Sequence, residues 1–320
     1  MKRFILQIIG FSFLTISLTV GLILYSNKKM NDGSFFTVNE KTKFLIIGDS
    51  HPECAFNDSL IEHTSNFAYS GESYFYQYLK TKKLLEKNKE IKTVFIEFNN
   101  GQIEKGMDDN IWGAEQIAWR YPKYSAYMDF IDLKILLSKN WKATFDAQAI
   151  SLKNNLRFLL KRNKTLILYG GWGAYLPLDN EGTEILNQSM NDEMVELDSL
   201  IDISEVNIEY LLKTIRYCKD NKVTVYLIRS PVHPKYRGLL NEKTFQMVLK
   251  SKLSGMEFLD FKSFPAMNSE FADYHHLNRK GARKFSIFFN DLIEAGLLED
   301  LNKKLLIDKA FEKLEMLSVD

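Results

Sequence analysis

Four short apolar runs, which alternate with amphipathic helical patterns, limit the folds open to this chain more than any other feature. The runs are rich in β-branched and aromatic residues, as is typical of strands buried on both faces: KFLIIG (43–48), KTVFIEF (92–98), KVTVYLI (222–228) and GMEFLDF (255–261). Helical patterns occupy 72–88, 204–221 and 279–296, and Ser204 has the position of an N-cap. Strands that alternate with helices predict a parallel α/β sheet.

Residues 101–200 depart from this alternation and form a predicted helical insertion. The segment is rich in aromatic residues, and YGGWGAYLP (169–177) is a loop that a helix would not tolerate. An insertion over the edge of the sheet is a place where substrate selectivity can reside. Trp172 and Tyr175 have two interpretations, since they can stack on sugar rings or pack the loop onto the domain.

The N-terminus carries a long uncharged segment. No charge occurs over the 22 residues Phe4–Tyr25, which as a helix, at about 1.5 Å per residue, can cross a hydrocarbon layer of about 30 Å. We predict a membrane anchor at 1–30, a polar tether at 31–42 and one α/β domain at 43–320. A cleavable signal peptide is the competing interpretation, but its apolar region is normally shorter, and no Ala-x-Ala pattern follows here.

The charges that flank this segment do not orient it. Lys2 and Arg3 on one side are matched by Lys28 and Lys29 on the other, so the positive-inside rule has little contrast. N-terminal segments of this kind are in general export signals. We therefore predict that the domain lies outside the cytoplasm, at the periplasmic or cell-surface side of the membrane.

The composition excludes several classes of function. Hydrophobic residues make up 45% of the chain and charged residues 26%, as in globular proteins, and the net charge of +1 without a long basic stripe predicts no nucleic-acid partner. Cys54 and Cys218 permit one disulfide at most and are more typical of small buried apolar residues. No metal-ligand motif occurs, and we predict neither a metal nor a cofactor.

The first apolar run ends abruptly at Gly48-Asp49-Ser50. Such a tripeptide is ordinary turn chemistry, because glycine accepts unusual backbone angles and Asp or Ser can hydrogen-bond to nearby backbone. Alternatively, the strand presents Ser50 as a nucleophile at its carboxyl end, the edge of an open α/β sheet where ligand sites lie. The tripeptide alone is compatible with both interpretations.

The segment FADYHHLNRKGARKF (271–285) contains the base that a nucleophilic serine requires. Asp273 and His276 are three residues apart, so on a turn the carboxylate can hold and orient the imidazole. A histidine held in this way can take the proton of a serine hydroxyl. The segment also fits a helix N-terminus with Asn278 as the N-cap and Asp273 solvated, and the cap is compatible with either role.

Gly-Asp-Ser after the first strand and Asp-x-x-His-Leu-Asn before the last helix resemble the two outer sequence blocks of the SGNH (GDSL) hydrolase family, over about residues 43–296. The resemblance implies a flavodoxin-like three-layer α/β/α sandwich with a parallel sheet. It also implies the activity of a serine esterase, acyltransferase or deacetylase. In that activity Ser50 is the nucleophile, His276 the base and Asp273 the acid that orients the base.

The same resemblance implies an oxyanion hole. Members of the SGNH family use two backbone N–H groups. One belongs to the serine, here Ser50, and the other to a glycine after the second strand, here Gly71 in NFAYSGESYF (66–75). The third donor is an asparagine side chain in a Gly-x-Asn-Asp block. This chain has FIEFNNGQ (95–102) instead, which leaves Asn99 and Asn100 as rival donors, and paired asparagines before glycine are also ordinary turn residues.

Three further residues are candidates for substrate binding. His51 follows the proposed nucleophile and can line its pocket, and Arg229 and His233 in LIRSPVHPKY (227–236) end a strand at the same edge of the sheet. An anionic or carbohydrate substrate would suit Arg229 and His233. Each also has a structural interpretation, as a polar loop residue or as part of a stiff loop between prolines.

The layout of a single anchor before such a domain, together with the DYHHLN block, resembles exported SGNH-like proteins that act on surface polysaccharides. These include alginate-type O-acetyltransferases and D-alanyl transfer proteins of teichoic acid systems, which work with a membrane-bound acyltransferase partner. The expected function is a serine esterase or O-acyltransferase, with acetyl as the acyl group and a carbohydrate ester as substrate. A membrane-associated lipase or lysophospholipase and a non-catalytic glycan-binding or assembly protein on the same fold are the alternatives.

Overall fold

A computed structural model describes residues 1–33, 35–161, 169–172 and 200–317. The chain divides into two compact units. The first contains Met1–Phe36 and Ile111–Ile167, and the second contains Thr37–Asn110 and Leu168–Asp320. The fold is mixed α/β and mostly helical, with one parallel sheet that lies in the second unit.

The secondary structure follows the predicted alternation. The strands are β1 Phe44–Ile47, β2 Thr64–Asn66, β3 Thr93–Glu97, β4 Thr224–Arg229 and β5 Glu257–Asp260. The α-helices of the described residues are α1 Lys2–Asn31, α2 Ser50–Ala55, α3 Tyr74–Lys87, α4 Asn100–Ile103, α5 Met107–Trp112, α6 Ala114–Tyr124, α7 Phe130–Lys161, α8 Glu205–Asp220, α9 Glu242–Lys252, α10 Arg279–Glu294 and α11 Lys303–Leu317. All four predicted apolar runs are confirmed as strands, and the described residues of the 101–200 segment are mainly helical.

The first unit is built from helices. α1 has a mean hydropathy of 2.1 over its most apolar 18 residues, none of which is buried, so it is long and apolar enough to be a membrane anchor or a signal. Its carboxyl end is packed within the unit, where Met30 is buried and Asn27 accepts a hydrogen bond of 3.1 Å from Asn155 of α7. The rings of Phe35 and Phe158 lie 5.3 Å apart next to this contact.

The sheet of the second unit has the strand order β2-β1-β3-β4-β5, and all its pairs are parallel. Phe44 of β1 lies opposite Thr64 of β2 and Thr93 of β3, and Thr93 lies opposite Thr224 of β4. In this order β2 lies on one side of β1, and β3, β4 and β5 lie on the other. Loops that follow β1 and β3 therefore diverge, which leaves a crevice at their carboxyl ends.

One face of the sheet packs against α10. Phe285 and Phe289 of that helix are buried with Phe95 of β3 and Tyr226 of β4. Phe95 and Phe289 meet edge to face with ring centroids 5.5 Å apart, the arrangement that aromatic quadrupoles favour. The helix begins where Asn278 accepts hydrogen bonds from the backbone of Lys280 and Gly281, which confirms the predicted N-cap.

Helix α8 packs on β4 and on α3. The Ser204 hydroxyl accepts the backbone N–H of Asn207 over 3.2 Å, so the predicted N-cap of α8 is confirmed. Cys54 and Cys218 are both free and fully buried, and burial raises the pKa of the Cys218 thiol to about 12. The two cysteines therefore act as small apolar residues of the core.

We expect Phe285→Ala to lower the free energy of unfolding by about 3–5 kcal/mol, because it leaves a cavity among aromatic side chains. Phe285 is fully buried, and its ring contacts those of Phe56, Phe261 and Phe264. Ile287 on the same helix is 40% exposed and provides the matched control. Thermal and urea unfolding of the full chain in mild detergent, followed by circular dichroism, measures both variants. Equal losses for Phe285→Ala and Ile287→Ala would contradict the assigned core.

Candidate active site

Ser50 lies at the first position of α2, directly after β1, and Asp49 is the N-cap of that short helix. Gly48 is required at the turn, because a Cβ there would lie 2.4 Å from Pro52 and 2.6 Å from Glu97. Asn66 at the end of β2 donates hydrogen bonds to the carbonyls of Pro52 and Phe56. The turn that carries Ser50 is thus tied to the sheet on both sides, while Ser50 itself is only partly buried.

The loop between β5 and α10 brings His276 to Ser50. An isolated antiparallel bridge between Phe271 and Leu277 closes the loop on itself, and the Ala272 N–H donates to the His276 carbonyl. His276 Nε2 lies 2.8 Å from Ser50 Oγ. On the other side of the ring, His276 Nδ1 lies 2.9 Å from Asp273 Oδ2 and 3.0 Å from its Oδ1.

The carboxylate of Asp273 is suited to orient this imidazole. It also accepts the backbone N–H groups of His275 and His276, so its position in the turn is fixed. Burial acts to raise the pKa of Asp273, but the hydrogen bond and charge of His276 outweigh it, and the pKa is lowered overall. An ionised Asp273 keeps the proton on Nδ1, so Nε2 can accept the proton of the Ser50 hydroxyl.

Asn99, one of the two rival oxyanion donors, is engaged in a buried network. It is the N-cap of α4, and its Oδ1 accepts the backbone N–H of Gln102. Its Nδ2 donates to Asp49 Oδ2 over 2.9 Å and reaches Glu97 Oε1 at 3.3 Å. Both amide hydrogens therefore have carboxylate acceptors, and the side chain serves to join the ends of β1 and β3.

Asn100 and Arg229 form a separate cluster. Asn100 Oδ1 accepts from Arg229, and its Nδ2 donates to Asn241 and Glu242. The remaining four N–H groups of the Arg229 guanidinium donate to Asp260 and Glu242. All five donors of the buried guanidinium are thereby used within this cluster, and the Asn100 amide is engaged there as well, so the contacts of both side chains in this structure are structural.

His233 is also fixed by structural contacts. Its Nδ1 accepts the backbone N–H of Lys235, and its Nε2 donates to Asn268 over 3.1 Å. The ring lies against those of Phe271 and Tyr274, and burial lowers the pKa of the imidazole. Neither ring nitrogen is left for a substrate, so His233 fastens the loop after β4 to the loop that carries Asp273.

His51 is buried beside Ser50 and forms a second carboxylate and imidazole pair. Its Nδ1 lies 3.0 Å from Asp49 Oδ1, and its ring centroid is 5.3 Å from that of His276. Burial acts to lower the pKa of His51, but the charge of Asp49 outweighs it, and the pKa is raised overall. Burial likewise acts to raise the pKa of Asp49, and the charge of His51 with hydrogen bonds holds it far below its usual range.

Gly71 adopts a left-handed conformation, with φ of +62°, in an exposed turn just before α3. The left-handed backbone explains the glycine at this position.

Trp172 is partly buried and packs against the aromatic core under α10, in agreement with the structural interpretation of that residue. Tyr175 lies outside the described residues.

Sequence reasoning did not find the groups that surround the pair of Asp49 and His51. Gln102 donates to Asp49 Oδ2 over 2.9 Å, and Tyr236 and His275 lie beside the His51 ring. Their positions depend on loops far apart in the chain, and no local motif marks them. Among the described residues, no group of three or more His, Cys, Asp or Glu side chains is placed to hold a metal ion.

A family model matches residues 183–298, less than half of the chain, and the family is uncharacterised. The match includes β4, β5 and the loop with Asp273 and His276, but it begins after Ser50. No curated protein matches the chain.

We expect Glu97→Gln to remove a pH-dependent loss of stability. Glu97 is fully buried at the end of β3, and burial together with the charge of Asp49 raises its pKa from 4.5 to about 7. Between these values the folded protein holds a proton that the unfolded chain has released, so the wild type loses stability as the pH rises. The stability difference between Glu97→Gln and wild type should therefore grow with pH, to the order of 3 kcal/mol.

Unfolding of both proteins at pH 5, 6, 7 and 8 measures this difference. Glu62→Gln, at an exposed position, is the control and should show no such trend. A difference for Glu97→Gln that is constant across this range would contradict the expected protonation of Glu97.

Proposed function

We propose that this protein is a serine esterase or O-acyltransferase of the SGNH (GDSL) type, which forms an acyl-enzyme at Ser50. The observation that carries the proposal is the hydrogen-bonded sequence of Ser50 Oγ, the His276 imidazole and the Asp273 carboxylate, with 2.8 Å between Oγ and Nε2. A serine hydroxyl at neutral pH is a weak nucleophile and needs this kind of base. In this proposal Ser50 is the nucleophile, His276 is the base and Asp273 is the acid that orients the base.

In the proposed reaction, Ser50 Oγ attacks the ester carbonyl while its proton moves to His276 Nε2. The tetrahedral intermediate expels the alcohol, which takes the proton from His276, and the acyl group remains on Ser50. Water or a sugar hydroxyl then attacks the acyl-enzyme, with His276 again as the base. Hydrolysis and transfer differ only in the acceptor.

The fold supports the assignment to the SGNH type. The strand order 2-1-3-4-5 is that of flavodoxin-like sheets, whose ligand sites lie at the switch point beside β1 and β3. Ser50 follows β1 at that point. Helices α10 and α8 both pack against the sheet, which supports a three-layer α/β/α sandwich.

The N-terminal helix supports a function at the membrane. We propose that α1 anchors the protein, that the α/β domain lies outside the cytoplasm, and that the substrate is a carbohydrate ester of the cell surface or of an exopolysaccharide. Acetyl is the proposed acyl group. A membrane-bound acyltransferase is the proposed partner, since an acyl donor made inside the cell must cross the bilayer before it reaches this site.

Covalent labelling tests the proposed nucleophile and base together. Full-length protein in mild detergent is treated with a fluorophosphonate, and the adduct is mapped by mass spectrometry. We expect one adduct at Ser50, no adduct in Ser50→Ala, and a rate at least 10³-fold lower in His276→Ala, because the alcohol is not activated without its base. Ser59→Ala and His63→Asn, both exposed, are the matched controls and should label like wild type. An undiminished rate in His276→Ala would overturn the assignment.

The losses of turnover caused by Ser50→Ala and by His276→Ala should not be additive. Because Ser50 and His276 act in one step, turnover of p-nitrophenyl acetate by the double variant should be within about tenfold of that of either single variant. Full additivity would show that the two side chains contribute independently and would contradict a single catalytic unit.

A further inference from the structure

The most unusual atom near Ser50 is Nε2 of His51. It is buried and has no hydrogen-bond partner among the residues that the structure describes, and the His51 side chain is only 7% exposed. A buried polar atom without a partner carries a desolvation cost, and native structures rarely retain one without a use. None of the described residues supplies this partner, and a substrate bound at Ser50 can supply it.

The opposite nitrogen of the same ring is held firmly. His51 Nδ1 meets Asp49 Oδ1, and the other oxygen of Asp49 accepts from Asn99 and Gln102. With so many donors Asp49 stays ionised, so Nδ1 carries a proton and donates to it. The ring is thereby fixed in orientation, and Nε2 is the only position from which it can bind anything else.

The charges that face the ring favour its cationic form. The acidic groups that face it are Asp49 before α2 and Asp273 in the loop before α10, together with Glu97 at the end of β3, which becomes negative as the pH rises through about 7. The other titratable groups beside it are His275, His276 and Tyr236. Burial acts to lower the pKa of His51, but the charge of Asp49, which is in direct contact, outweighs it; the raised pKa favours the form with a hydrogen on Nε2.

We propose that His51 Nε2–H donates to the carbonyl oxygen of the bound ester and stabilises the oxyanion that forms when Ser50 attacks. This inference rests on the proposed function. During attack the bond from Ser50 Oγ to carbon forms, the hydroxyl proton moves to His276, and the carbonyl electron pair moves to the oxygen that His51 binds. When the intermediate collapses, this electron pair reforms the carbonyl, and the leaving alcohol takes the proton from His276.

The structure explains why a histidine, and not Asn99, donates to the oxyanion in this proposal. The amide of Asn99, which the family resemblance implies as a donor, is bound to Asp49 and Glu97. It thus supports the acid that holds His51, and acts as a positioning residue. A cationic donor forms stronger hydrogen bonds to an oxyanion than a neutral amide does.

Two substitutions of His51 distinguish the contributions of its two ring nitrogens to activity. The amide nitrogen of Asn can replace Nδ1 and keep the hydrogen bond to Asp49, while that of Gln reaches the position of Nε2. For full-length protein in detergent with p-nitrophenyl acetate, we expect kcat of His51→Asn to fall by about 10²–10³-fold with little change in KM, the loss typical of one oxyanion donor. His51→Gln should lose about tenfold at most.

The pH profile is a readout that a structural role would not move. Wild-type kcat/KM should fall at alkaline pH as His51 releases its proton, and this limb should be missing in His51→Gln, which cannot titrate. The inference is overturned if His51→Asn and His51→Gln lose activity equally, if His51→Asn equals wild type, or if the alkaline limb persists in His51→Gln. Should His51→Asn fail to fold by circular dichroism, the profile of His51→Gln decides alone.

Fluorophosphonate labelling of the same samples distinguishes this inference from the proposed function. If wild type forms no adduct at Ser50, the proposed function fails. If wild type is labelled and His51→Asn is labelled at the same rate, only the role of His51 fails.

Discussion

The carboxylate of Asp49 is the interaction on which the rest of the site depends. It stands at the end of β1 and accepts hydrogen bonds from the backbone and ring of His51, from Asn99 and from Gln102. These bonds join the residue that follows β1 to the turn that follows β3, across the crevice of the sheet. A buried charge needs such partners, and the partners in turn take up fixed positions around Ser50.

Much of the fold and part of the site could be predicted from local patterns. β-branched runs mark β1, β3 and β4 because each is buried on both sides, and Asn278 marks the start of α10 because an N-cap acts within its own turn. Asp273 and His276 could be paired for the same reason, since a contact over three residues is local.

The remaining site residues could not be assigned because their partners are remote in sequence. Arg229 looks like a binding residue at the end of a strand until Glu242 and Asp260 are placed around it. His233 depends on Asn268 in the same way. Polar residues at the carboxyl edge of a sheet have the same composition whether they bind a ligand or one another, and only the tertiary structure distinguishes the two cases.

Ser50 and His276 are separated by 226 positions in the chain, and the hydrogen bond between them closes across the whole α/β domain. During synthesis Ser50 emerges soon after the hydrophobic N-terminal helix, and His276 follows 226 residues later. A chain that ends before residue 276 therefore lacks the hydrogen-bond partner of the Ser50 hydroxyl. The arrangement of Ser50, His276 and Asp273 therefore forms only once the chain has been made as far as the loop before α10 and the α/β domain has folded.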